Sequence, residues 1–366
     1  MRNLLATALL ISIAATVQAV DYRLVTVADG LDHPWCLAFL PDGDLLITER
    51  TGTLRRIGAD GKVGDAIAGV PDSYFAGQGG LLDVALDPEF ARNGLIYLSY
   101  AWGNASANAT RVYRARLAGS TLTDGQVLFT AQPAKDTPQH YGGRLAFMAD
   151  GTLLLTTGDG FDYRELAQRR DTTLGKVIRI NRDGSIPADN PFADAPAPGN
   201  AVYSYGHRNP QGLTVDPATG TVYEHEHGPR GGDEVNVIRP GANYGWPAIT
   251  WGMDYTGAHV SPYTEWPGME QPSHFWVPSI APSGLALYRG DLFPEWEGDL
   301  FVGALVDREV RRLDLVDGEV PGEVQGEEAL FSELGERIRD VRLGPDGLLY
   351  LVTDGPGGRI VRVERP

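Results

Sequence analysis

One motif recurs along the whole chain and constrains its fold more than any other feature. An apolar pair runs into a turn built from Pro, Asp and Gly, and a second apolar stretch follows. The first copy is Leu37-Ala38-Phe39-Leu40-Pro41-Asp42-Gly43, continuing into Leu45-Leu46-Ile47-Thr48. The second joins Val84-Ala85-Leu86-Asp87-Pro88 to Gly94-Leu95-Ile96-Tyr97-Leu98, and the third runs from Leu145 through Asp150-Gly151 to Leu155. Leu213-Thr214-Val215-Asp216-Pro217 with Thr221-Val222-Tyr223 is a fourth. Leu285-Ala286-Leu287 with Leu300-Phe301-Val302 is a degenerate fifth, and Val341 to Leu351 around Pro345-Asp346-Gly347 is the sixth. Asp-Gly and Asp-Pro supply tight-turn geometry, so each copy predicts two antiparallel strands. A unit repeated at blade-like spacing along the full chain predicts an all-β fold, a six-bladed β-propeller. Two stacked sandwiches would not explain a repeat that runs from end to end.

The first residues stand outside this pattern. Arg2 precedes an apolar run from Leu4 to Val17, too short to span a bilayer, and Val17-Gln18-Ala19 offers small residues for cleavage. Residues 1–19 are therefore expected to be a signal peptide and 20–366 a single propeller domain, periplasmic or secreted. The net charge of -17 argues against nucleic acid or an anionic membrane surface as partner. Cys36 is the only cysteine, so no intramolecular disulfide is available. Its setting, Trp35-Cys36-Leu37-Ala38, predicts a buried, unreactive thiol.

Propeller sites usually lie at one mouth of the central channel, so the long irregular segments are the places to search. His140 precedes the third blade in Gln139-His140-Tyr141-Gly142-Gly143-Arg144-Leu145. Its imidazole could take a proton from an alcohol, or could simply be a surface group. Asp159, in Gly158-Asp159-Gly160 after the same blade's second strand, could return to orient that imidazole, or serve only as a turn. Glu224-His225-Glu226-His227 alternates, which puts the two histidines on one face of a strand and the two glutamates on the other. No third ligand follows at zinc spacing, and the oxygen-rich surroundings, with Asp233 and Glu234, favour a hard cation such as calcium. Arg337 and Arg339 share one face of an extended segment, suited to a carboxylate ligand or to internal ion pairs.

These segments together resemble the soluble PQQ-dependent aldose sugar and glucose dehydrogenases. The resemblance rests on Gly77-Gln78-Gly79-Gly80, residues 140–145, Leu174-Gly175-Lys176, Gly184-Ser185-Ile186-Pro187 and Asp189-Asn190-Pro191-Phe192. It continues through Gly206 to Gly212, Glu226 to Glu234, Asn243-Tyr244-Gly245-Trp246-Pro247, Trp251-Gly252-Met253-Asp254-Tyr255 and 337–340. All fall in family order, and His227-Gly228-Pro229-Arg230-Gly231-Gly232-Asp233 is closer to the aldose sugar branch.

The resemblance implies that His140 is the general base for an aldose sugar's anomeric hydroxyl, supported by Asp159, with hydride passing from C1 to PQQ and an aldonolactone released. It implies PQQ contacts at Gln78, Arg208, Asn209, Tyr255, Arg337 and Arg339. Carbonyls of Gly228 and Pro229 would hold the calcium that polarises the quinone, and Glu234 with the Tyr244 carbonyl a second calcium. Electrons would leave to an external acceptor. Two positions depart from the family: Val306 stands where many members have a lysine, and Gln139 where the glucose branch is acidic. Arg308, two residues on, would share Val306's face if the segment were extended. Two other readings remain open: a calcium-dependent six-bladed lactonase, with acid and amide ligands and no arginine pair, and a carbohydrate-binding propeller without catalysis.

Overall fold

The computed structural model describes residues 20–366 apart from 317 and 319, so the expected signal peptide lies outside the described residues. Its strands form six four-stranded antiparallel sheets. The first blade comprises Pro34–Phe39, Leu45–Glu49, Thr53–Ile57 and Val63–Ala66; the next begins at Leu81–Leu86, and the others at Leu145–Phe147, Pro210–Val215, Pro282–Leu287 and Ile338–Leu343. Each sequence repeat supplies the two innermost strands of one blade, as expected. Innermost strands of successive blades touch around a closed circle, the sixth returning to the first.

Closure of the ring was not signalled by the repeat. The N-terminal strand Arg23–Asp32 becomes the outer strand of the sixth blade, pairing with Pro356–Glu364 from Arg23 opposite Glu364 onward. Both chain ends are thereby held in one sheet. Leu31, on this strand, is fully buried with Leu37, Ile47 and Val352. Truncating such a side chain costs about 2–5 kcal/mol, so the closing strand is a substantial part of the ring's stability.

Cys36 is buried in the apolar cluster with Trp35, Leu46 and Leu82, and two charged side chains also reach it. Its thiol lies 2.6 Å from Asp83 Oδ1 and 3.2 Å from Arg342 Nη2. Burial pushes its pKa well up, so the thiol stays protonated and unreactive, as expected. Among the described residues, no helix is long and apolar enough to cross a membrane.

Candidate active site

His140 sits in the left-handed region, at φ 51°, and Gly142 and Gly143 after it also have positive φ. This sharp reversal turns the imidazole inward. Gln78 accepts the His140 backbone N–H at 2.8 Å, and a Cβ at Gly158 would lie 2.2 Å from the His140 carbonyl oxygen. Glycine at 158 is therefore what lets the following Asp159 approach so closely. His140 Nδ1 lies 2.7 Å from Asp159 Oδ1. Asp159 also accepts the Phe161 backbone N–H at 2.8 Å and the Trp246 indole N–H at 2.7 Å. With donors on both of its oxygens the carboxylate is an acceptor only, so Nδ1 donates and Nε2 keeps its lone pair. Burial pushes the His140 pKa down, the Asp159 charge opposes this, and Arg208 and Lys135 add to the lowering. The result is a neutral imidazole positioned to accept a proton.

His140 opens on one of two adjoining cavities. One, of 260 Å³, is lined by His140, Phe161, Arg208, Pro229, Trp246 and Tyr255. The other, of 320 Å³, is lined by Arg50, Gln78, Asn209, Val306, Arg337 and Arg339. Consecutive residues, 140–141 and 208–209, line one cavity and then the other. Every residue expected to contact the cofactor therefore faces one of two neighbouring spaces. Arg208 lies between aromatic faces, 5.3 Å from the Trp246 ring centre and 5.9 Å from that of Tyr255.

Arg337 and Arg339 do lie together. Both Nε groups donate to Asp354, each at 3.0 Å. Burial would raise the Asp354 pKa, but the two guanidinium groups outweigh it and hold the value at about 2. Sequence reasoning missed Asp354 and also Arg50, which follows the first blade's second strand. Burial and the nearby Arg339 and Arg337 lower the Arg50 pKa, a sign of crowded positive charge. Arg50 Nε and Arg208 Nε are both buried without a partner. Buried donors left over in a cavity suit a ligand rich in acceptors.

Arg308 is not extended alongside Val306. Residues 305–307 form a turn, Arg308 has φ 59°, and its guanidinium reaches out to the Gly335 carbonyl at 3.4 Å. Val306 is 58% exposed and lines the cavity; Arg308 does not. The turn takes Arg308 off the face it would have shared with Val306 in an extended segment.

The fourth blade carries the acidic residues. Glu224 faces Asn236 across the strand pair, and Glu226 faces Glu234. His207, from the preceding loop, brings Nδ1 to 3.2 Å from Glu226 Oε1, and its ring stacks on Tyr244 at 4.7 Å. His207, Glu224 and Glu226 lie close enough to share one ion. Glu224 Oε1 is buried without a partner, and burial, with Glu226 beside it, pushes the Glu224 pKa well up. Glu234 is raised in the same way, by burial and then Glu226. His225, on the opposite face, points to the Gly284 carbonyl at 3.3 Å instead. The expected alternation holds from Glu224 to Glu226, where the strand ends short of His227; His207 was not read with the two glutamates because it joins from another part of the chain. Gly228 behaves differently, its carbonyl accepting Arg208 Nη1 at 2.6 Å.

The glucose/sorbosone dehydrogenase family model matches residues 31–362. The aldose sugar dehydrogenase YliI of Escherichia coli is 43% identical over 92% of this chain and 91% of its own length. A crystal structure of the soluble aldose sugar dehydrogenase from Escherichia coli in the apo form superposes with a TM-score of 0.88 at 41% identity, covering 94% of this chain and 100% of that one. A PQQ-bound aldose sugar dehydrogenase from Streptomyces coelicolor gives 0.76 at 32% identity, covering 94% of this chain and 99% of that one. With the family model matching residues 31–362 and a relative 43% identical over 92% of its length, the chain belongs to the glucose/sorbosone dehydrogenase family.

Proposed function

We propose that this protein oxidises aldose sugars at C1 with PQQ as cofactor and calcium as its ion. One observation carries the reading: a cavity ringed by Arg50, Arg337 and Arg339 adjoins the cavity onto which His140, held by Asp159, opens. PQQ is a planar quinone with three carboxylates, and when bound it supplies the group that takes up hydride. Arg337, Arg339 and Arg50 would hold its carboxylates, with the unpartnered Nε–H of Arg208 and the amides of Gln78 and Asn209 as further donors. Tyr255 would close over one side.

His140 Nε2 would then accept the anomeric hydroxyl proton as charge leaves C1. Asp159 stabilises the imidazolium that forms, and Trp246 fixes Asp159. A calcium ion at the Gly228 and Pro229 carbonyls requires Arg208 to release Gly228, a release that frees its guanidinium for the cofactor. The group Glu224, Glu226, Glu234 and Asn236 fits a second calcium by the hardness of its oxygens and by the orphaned Glu224 oxygen. A lactonase would need such acid and amide ligands at the channel mouth. Here they are inside the fourth blade, and arginines line the mouth. We also assign the protein to an exported location, on the strength of residues 2–19, and an external electron acceptor to its turnover.

The test is reconstitution. Purified protein given PQQ, calcium, glucose and a dye acceptor should reduce the dye, with each of PQQ and sugar required. Hydrolysis of an aldonolactone without PQQ, and no dye reduction with it, would support the lactonase instead.

A further inference from the structure

Arg144, four residues beyond His140, lines neither cavity. Its side chain is 1% exposed and lies where the inner strands of opposite blades converge. The backbone is pinned to the third blade: Arg144 N–H donates to Thr156 Oγ1, and Thr156 N–H to the Arg144 carbonyl, both at 3.0 Å. From there the guanidinium reaches across the ring. Nε donates to the Gln211 carbonyl of the fourth blade at 2.6 Å, and Nη2 to the Arg339 carbonyl of the sixth at 3.3 Å. Trp35 of the first blade stacks on its face, with 4.0 Å from Cζ to the ring centre. Trp35 and Gln211 in turn line the arginine-ringed cavity, so Arg144 stands directly behind that wall.

Charge is balanced around it. Nη1 lies 2.9 Å from Asp340 Oδ1, an ion pair misaligned for a hydrogen bond, and 4.0 Å from Asp83 Oδ2. Arg342 completes the group, 2.8 Å from Asp340 Oδ2 and 3.2 Å from Asp83 Oδ1. Such a group adds little to stability, because desolvating the charges offsets their attraction and apolar side chains of the same volume would serve as well. Geometry is another matter. A guanidinium is a planar fork with donors in fixed directions, so it holds the carbonyls of Gln211 and Arg339 at set distances. The segment carrying His140 and the segment carrying Arg337 and Arg339 come from opposite blades, and this one side chain bridges them.

We propose that Arg144 is a positioning residue: it fixes Arg339 relative to His140, so that one buried side chain sets both cofactor affinity and the placement of the base. The proposal rests on the sugar-oxidising reading above. Arg144→Lys keeps the charge and loses the fork. Its affinity for PQQ, by fluorescence titration with calcium present, should fall about tenfold, the scale of one misplaced charge-assisted hydrogen bond. At saturating PQQ its kcat on glucose should fall about ten- to a hundredfold, as for a small displacement of reacting groups, with KM within about twofold. Arg144→Met leaves Asp340 unpaired and should lower Tm sharply. Adding Asp340→Asn restores the charge balance and should return Tm to near the wild-type value, with PQQ still bound weakly, which separates position from stability. PQQ affinity that recovers together with Tm, or wild-type affinity or kcat in Arg144→Lys, overturns the proposal. If wild type binds no PQQ, the parent reading fails, and a crystal structure of Arg144→Lys decides the positioning by itself: residues 337–340 displaced relative to His140 support it, and their coincidence with wild type overturns it.

Discussion

Trp246 donates its indole N–H to Asp159 Oδ2 at 2.7 Å, the oxygen that His140 leaves free. The carboxylate is thus gripped at both ends, and the imidazole it orients cannot swing without breaking a buried charged contact. Asp159→Asn keeps the shape but presents an N–H on one side. Its kcat should fall about 10²–10⁴-fold, the range for a base with a mis-set tautomer, with PQQ affinity unchanged. Trp246→Phe, which removes only the far contact, should cost roughly tenfold in kcat. An Asp159→Asn enzyme with wild-type kcat would mean that the pair does not act as a unit.

The pH profile tests the electrostatics. Burial lowers the His140 pKa below its ordinary 6.5, with Arg208 and Lys135 adding to the effect. The base form therefore persists below that value, and kcat should decline only as pH falls through the lowered pKa. Below 6.5 the unfolded chain binds a proton at this residue that the folded one resists, so His140's contribution to stability also falls with pH there. Lys135, fully buried and brought to about 7 by burial, keeps its charge through most of that window. Lys135→Met should move the acid limb of kcat to higher pH. A limb that stays in place would remove Lys135 from the electrostatics of the base.

Val306 leaves one corner of the arginine-lined cavity without a cation. Val306→Lys should tighten PQQ binding by about tenfold, the worth of one charge-assisted hydrogen bond after the cost of ordering the side chain. Arg308→Ala should leave PQQ affinity unchanged, because that side chain points to Gly335. Fluorescence titration with PQQ measures both. A marked loss in Arg308→Ala would contradict the turn seen at 305–307.

The carboxylates of the fourth blade predict a calcium-dependent stability. Chelation should lower Tm, and calcium added back should restore it with a logarithmic dependence on its concentration, as binding to the folded state requires. Glu226→Gln should weaken that response strongly. Restoration by zinc and not by calcium would show that His207 dominates the site and the oxygens do not.

Sequence and structure agree where chemistry is local. Asp-Gly or Asp-Pro turns announced five of the six inner hairpins, the degenerate fifth being read from its apolar runs alone, and the Gly-rich stretch after His140 marked a reversal whose purpose is visible only in three dimensions. What could not be read was contact at a distance. Arg23–Asp32 has no repeat signature because its partner lies at the other end of the chain. Asp354 resembles any residue of a turn until Arg337 and Arg339 are seen on it. His207 and Glu226, nineteen positions apart, meet because a loop crosses the blade top. Arg308 was misplaced for the opposite reason: strand alternation was applied to residues that turn.

His140 as the base that opens aldose oxidation is the step most directly open to measurement. The direct measurement is glucose-dependent dye reduction by the PQQ- and calcium-loaded protein, wild type against His140→Ala, with PQQ binding titrated in both. Turnover should fall about 10²–10⁴-fold in the variant while PQQ affinity stays within about threefold, since the arginines proposed to hold the cofactor are untouched. Near wild-type turnover in His140→Ala, with PQQ bound, would contradict it.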